Sequence, residues 1–224
     1  MSQRETWPGE GAAEAEEAEA EEVEAGDEAA DSDEADELEE RSDEEDTGDE
    51  PALRVAPQHA AGELDVPDDV DLLEGEARDT RRGVGIVVSR FNGEIVNRLL
   101  AAALAELETA GVGKETVTVM AVPGAFELPL GAMALAKTRR YSCIVALGCV
   151  VRGETPHFDY IAGEAASGLQ LAALETGIPV SFGVLTVDTI EQADARVDKG
   201  AEAVRTALEM ADLFSQLRAS AQAK

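Results

Sequence analysis

The sequence predicts an α/β fold: a three-layer αβα arrangement around a four-stranded parallel sheet, preceded by a disordered acidic N-terminal tail. Three observations predict it. Four short apolar runs rich in Val alternate with segments whose apolar residues recur at helical spacing. The links between them are short and punctuated by Gly and Pro, which places helices on both faces of one parallel sheet. The third run is apolar almost throughout, as a parallel strand covered on both faces must be.

Residues 1–67 read as the tail and residues 68–224 as a single domain. Residues 1–50 hold 24 Asp and Glu against two Arg, and residues 51–80 hold eight against two. Of the net charge of −30, only −2 falls on residues 81–224. The tail has almost no large apolar side chains, so it cannot bury enough surface to offset ordering entropy. It reads as a solvated extension, with a docking arm for basic partners as the alternative. A nearly neutral domain excludes halophile-type acidification, and it has no basic excess for binding nucleic acid. The tail lacks the basic start and apolar stretch of a signal peptide, and a transit peptide is poor in acids. No run of about 18 apolar residues exists to span a membrane. These features predict a cytoplasmic protein.

The elements follow in order. Val70 to Gly75 adds a short strand upstream. Gly83 to Ser89 (GVGIVVS) is the first main strand. Gly93 to Ala110 puts Ile95, Val96, Leu99, Leu100, Ala103, Leu104 and Leu107 on one stripe, an amphipathic helix ended by Gly111 and Gly113. Thr116 to Val122 is the second strand. Pro123-Gly124 turns the chain into a helix over Ala125 to Thr138, where Pro129 is tolerable only near the first turn. Ser142 to Val151 is the third strand. Thr155 as N-cap and Pro156 at the first helical position open a helix that runs to Thr176. Pro179 to Val187 is the fourth strand, and Thr189 to Leu217 forms one long helix or two. Cys143 and Cys149 share one strand and lie roughly 20 Å apart at about 3.3 Å per residue, too far for a disulfide. With one nearby His they form no metal site.

In open α/β sheets ligands bind outside the carboxyl ends of the strands. Here those ends carry Arg90-Phe91-Asn92, then Gly124-Ala125-Phe126-Glu127, then Val151-Arg152-Gly153-Glu154-Thr155-Pro156-His157. The last segment joins a strand to a helix N-terminus through a Gly-containing turn, which is a ready anion site. His157 stands on the first turn of that helix. The other histidine, His59, lies in the polar tail. A group that titrates near neutrality therefore sits beside a place that can hold a phosphate. Two aromatics and a carboxylate on the same edge suit a flat heteroaromatic substrate.

These residues resemble the 6,7-dimethyl-8-ribityllumazine synthase family of riboflavin biosynthesis. The resemblance rests on Arg90-Phe91-Asn92, on Pro123 to Pro129 (PGAFELP), on Gly148 to Tyr160 (GCVVRGETPHFDY), and on Phe182 to Thr186 followed by Glu191-Gln192-Ala193. It covers roughly residues 70–215, in family order. It implies a flavodoxin-like domain and condensation of 5-amino-6-ribitylaminouracil with 3,4-dihydroxy-2-butanone 4-phosphate, with no metal or organic cofactor. It implies that His157 transfers protons and that Phe91 stacks on the pyrimidine. Ala125, Phe126 and Glu127 would line the site, with Glu127 near the ribityl hydroxyls. Val150 and Val151 would offer backbone contacts to the heterocycle, and Gly153, Glu154 and Thr155 would hold the phosphate. Phe182 and the phosphate-binding Arg196 would come from a neighbouring subunit, in a pentamer or a capsid of twelve pentamers. The linker Arg196-Val197-Asp198-Lys199-Gly200 is shorter than the family's usual Gly/Ala-containing one, and this linker bears on which assembly forms. Two other readings remain open: an archaeal-type riboflavin synthase, and a non-catalytic cage or binding protein.

Overall fold

The computed structural model describes residues 64–67, 69–80 and 82–222. The acidic low-complexity stretch lies outside the described residues. The expected main elements are present, in the order β1 (Gly83–Ser89), α1 (Gly93–Thr109), β2 (Val117–Val122), α2 (Leu128–Lys137), β3 (Tyr141–Val151), α3 (His157–Thr176), β4 (Val180–Val187), α4 (Ile190–Asp194) and α5 (Lys199–Gln222). Single 3-10 turns at Lys114–Thr116 and Ala125–Glu127 precede β2 and α2. The second is the start of the helix expected from Ala125. It ends before Pro129, which falls in the first turn of α2, where a missing N–H breaks no helical bond.

All four strands are parallel, in the order β2-β1-β3-β4. β3 is the longest and is buried along nearly its whole length. Its alternate residues feed two cores. Cys143, Val145, Leu147 and Cys149 face α1 and α5, while Ile144, Ala146 and Val150 face α2 and α3. Each fully buried Val, Leu or Ile contributes about 1.5–3 kcal/mol relative to exposure. That is why the central strand could be read from its composition alone.

Two glycines shape the second layer. Gly177 ends α3 in the left-handed region (φ 64), where a side chain would be strained. Gly168 lets α2 and α3 touch: a Cβ there would fall 2.7 Å from Pro129 Cβ and 2.8 Å from Pro129 Cγ.

Three expectations need correction. Val70 to Gly75 is not a strand. Its backbone bonds elsewhere than to a sheet edge: Val70 N donates to Pro67 O (3.0 Å), and Glu74 O accepts from Gln216 Nε2 of α5 (2.9 Å). Leu104 is 41% exposed. At about 100° per residue it sits roughly 100° from the centre of the α1 stripe, beyond the face that meets the sheet. Thr155 does not cap α3; the cap position is Pro156, and no side chain caps it. Proline already carries a helical φ (−62°), and its carbonyl accepts from Asp159 N at 3.0 Å, so the chain tightens one residue later than a Thr cap would require. The segment after β4, open between one helix and two, is two.

Candidate active site

The strand order creates the site. From β1 the chain moves outward to β2, then crosses back to β3 on the other side, so the β1 and β3 carboxyl ends diverge and leave a crevice. Three turns meet there, and main-chain bonds tie the first two together. Arg90 N donates to Val122 O (2.9 Å) and Phe91 N to Pro123 O (3.1 Å). Asn92 ties the first to the third. It sits in the left-handed region (φ 55, ψ 44), and its Nδ2 donates to Cys149 O at 3.0 Å, across the crevice. This link is not among the expectations drawn from the sequence. The signal was present: Asn tolerates left-handed backbone, and this one stands directly before a helix.

In the second turn, Gly124 N donates to Glu127 Oε2 at 2.9 Å, and Glu127 N donates back to Gly124 O at 3.3 Å. The Glu127 carboxylate therefore closes its own turn at the edge of the crevice. Ala125 is buried and Phe126 is exposed.

The third turn leaves β3 at Val151. Arg152 N continues the ladder to Val187 O at 2.9 Å. The amides of Gly153, Glu154 and Thr155 donate to no protein group among the described residues. The Thr155 hydroxyl, released from capping, is likewise without a partner among them. These donors stand at the N-terminus of a 20-residue helix, where the partial positive charge of the helix favours an anion. His157, the first residue of α3, is exposed.

The cleft between the turns holds about 690 Å³. Of the residues expected at the site, Phe91, Ala125, Phe126, Glu127, Val150, Val151, Gly153, Thr155 and His157 line it. Asn92, Gly124, Cys149, Phe158 and Ile161 line it as well. Ile161 could have been found from its spacing, four residues after His157 on one helix face.

Three expected residues lie elsewhere. Glu154 belongs to the turn but not to the cleft lining, and it is exposed. Phe182, 46% exposed, borders a separate hollow near the start of β4 with Lys199, Glu202 and Thr206. Arg196 donates from Nη1 to Gln192 O at 2.8 Å, beyond α4. Helix α4 itself is held by Thr189, whose hydroxyl accepts from Gln192 N.

Burial pushes the Cys143 thiol up to about 12 and raises that of Cys149, so neither serves as a thiolate at neutral pH. Both cysteines are free. Among the described residues no three His, Cys, Asp or Glu gather to hold a metal ion. No helix among them is long and apolar enough to cross a membrane.

The exposed Phe91 ring, Gly153 and Thr155 of the third turn, and His157 thus share one cleft. The family model described as 6,7-dimethyl-8-ribityllumazine synthase matches residues 82–215. The chain belongs to this family. The matched stretch runs from just before β1 into α5 and includes all three turns of the cleft. Membership of the lumazine synthase family places the chain in riboflavin biosynthesis, among the transferases.

Proposed function

We propose that residues 68–224 form a catalytic domain that condenses 5-amino-6-ribitylaminouracil with 3,4-dihydroxy-2-butanone 4-phosphate. The products are 6,7-dimethyl-8-ribityllumazine, inorganic phosphate and water. The observation that carries this reading is that His157, Gly153 and Thr155 of the third turn and the exposed Phe91 ring all line one cleft of about 690 Å³.

The 5-amino group is already a nucleophile. It adds to the ketone, and loss of one water gives an imine. Removal of a carbon-bound proton then expels phosphate, and closure onto the second nitrogen loses another water. Each step moves a proton, and His157 is the group placed to move it. The rest of the task is juxtaposition of the two substrates, which lowers the barrier without covalent help from the protein. Phe91 stacks on the pyrimidine. Ala125, Phe126 and the Val150-Val151 backbone border the heterocycle, and Glu127 faces the ribityl hydroxyls. Gly153 and Thr155 hold the phosphate through amides and the Thr155 hydroxyl, with Glu154 contributing its N–H while its carboxylate stays in water.

Phe182 and Arg196 stand outside the cleft of their own chain. The family forms oligomeric assemblies, and a neighbouring copy in a pentamer, or in a capsid of pentamers, supplies both residues in this reading. The test is to supply both substrates and follow lumazine by absorbance together with released phosphate. Equal amounts of each are expected. Lumazine formed without phosphate, or neither product, would overturn the assignment. Conversion of added lumazine to riboflavin would instead favour the riboflavin synthase reading.

A further inference from the structure

We propose that Arg152 is the positioning residue of the phosphate loop: it holds Gly153-Glu154-Thr155 against the N-terminus of α3 by bracing the elements on either side, without itself gripping the phosphate. This rests on the functional reading above.

The loop is weakly tied by its own backbone. One main-chain bond holds its entry, Arg152 N to Val187 O, and one holds its exit, Asp159 N to Pro156 O at 3.0 Å. Between them the amides of Gly153, Glu154 and Thr155 bond to no protein group among the described residues. Around Gly153 nothing lies within 4 Å of the place a Cβ would take. A loop whose amides are kept for a ligand has to be held by something else.

The Arg152 side chain supplies that hold. Its Nε donates to Asp188 Oδ1 at 2.9 Å, in the turn between β4 and α4. Its Nη1 donates to Asp159 Oδ1 at 3.2 Å, in the first turn of α3. Its guanidinium carbon lies 4.1 Å from the centroid of the Phe158 ring, and Phe158 lines the cleft. One planar group therefore joins β4–α4, the start of α3 and the cleft wall. Arginine suits this task because its rigid fork donates in two directions while its face stacks. Two of its three nitrogens are committed to carboxylates, which argues against a direct grip on phosphate. The hydrogen bond to Asp188, ahead of that to Asp159, favours its charged form.

The clamp also removes an obstacle. Asp159 and Asp188 would otherwise put two uncompensated carboxylates beside an anion site. Both ion pairs are half exposed, with side chains 45%, 63% and 66% accessible for Arg152, Asp159 and Asp188, so they add little to global stability. Their consequence is the shape of the loop.

The experiment compares Arg152→Gln, Arg152→Lys, Asp188→Asn and the double variant Arg152→Gln/Asp188→Asn with the wild type. Thermal melts and steady-state kinetics are measured for each, with hydrogen exchange at the amides of residues 152 and 159, which bond at the entry and exit of the loop. Melting temperatures near wild type are expected throughout. Arg152→Gln should raise KM for the phosphate-bearing substrate and Ki for inorganic phosphate by about tenfold, with KM for the pyrimidine within about twofold. Asp188→Asn should show the same pattern more weakly. The double variant should be no worse than Arg152→Gln alone, because both changes remove one interaction. Arg152→Lys should recover only part of the loss.

Impairment confined to Arg152 variants, with Asp188→Asn behaving as wild type, would mean that Arg152 binds the phosphate directly and would overturn the proposal. If the wild type forms no lumazine, the functional reading fails, and the clamp is then judged by exchange alone. Faster exchange at the bonded amides of residues 152 and 159 in both Arg152→Gln and Asp188→Asn sustains it. Unchanged exchange overturns it.

Discussion

Gly163 and Gly168 stand on the same helix, α3, and the same substitution should move stability in opposite directions at the two positions. Replacing a helical glycine by alanine normally gains up to about 1 kcal/mol, because the glycine chain loses more freedom on folding. At Gly163 a new Cβ meets nothing within 4 Å, so the gain stands. At Gly168 the new Cβ falls 2.7 and 2.8 Å from two atoms of the Pro129 ring, which cannot rotate away. Helices α2 and α3 must then part by roughly 0.6 Å, and overpacking of this kind costs about 1–3 kcal/mol. Set against the helical gain, Gly168→Ala should lose about 1 kcal/mol and Gly163→Ala should gain about the same. For a chain of this size that is about 3 °C in melting temperature, up at 163 and down at 168. Far-UV circular dichroism is the assay, because it follows the helical content of α2 and α3 directly. Helix α2 follows the Phe126–Glu127 turn and α3 opens at His157, so Gly168→Ala should also lower turnover. A Gly168→Ala variant that gains as much stability as Gly163→Ala would refute the packing argument.

Three further outcomes are expected. His157→Ala should lower turnover by about 10²-fold or more while the KM for the pyrimidine changes little, since the substrates remain juxtaposed; wild-type turnover at neutral pH would end the proton-transfer role. Phe182→Ala and His157→Ala, each impaired alone, should complement in part when refolded together, because mixed assemblies contain some interfaces with both native partners; mixtures that never exceed the separate variants would exclude a shared site. The hydrogen bond from Arg78 holds the Asp212 carboxyl below its ordinary value. A depressed carboxyl contributes stability that is fully present above its unfolded pKa, near 3.9, and is lost as pH falls through the lower folded value. Asp212→Asn should therefore melt below the wild type at pH 7, with the gap closing as the pH is taken below about 3.9; a gap independent of pH would rule this linkage out.

Much of the architecture could be read from the chain because it is written in local periodicity. The Val-rich runs, the helical stripe of Ile95, Leu99, Ala103 and Leu107, and the Gly177 stop each report how one segment is buried or how one residue must turn. His157 and the donors of Gly153 to Thr155 were legible for the same reason, since a strand, a glycine turn and a helix start are all sequence-local. Strand order was not. Periodicity says that β1 is covered on both faces, but nothing in it says that β2 lies on one side and β3 on the other. That order alone opens the crevice between the first and third turns. It also gives Asn92 a carbonyl to reach, Cys149 O, 57 positions away. Thr155 and Val70 to Gly75 mark the other limit. Each has a local signal, for a helix cap and for a strand, but a backbone group takes whichever partner the fold brings near. Proline geometry closed the first turn of α3 without the Thr155 hydroxyl, and a side chain of α5, Gln216, took the bond that a sheet edge would have offered to Glu74.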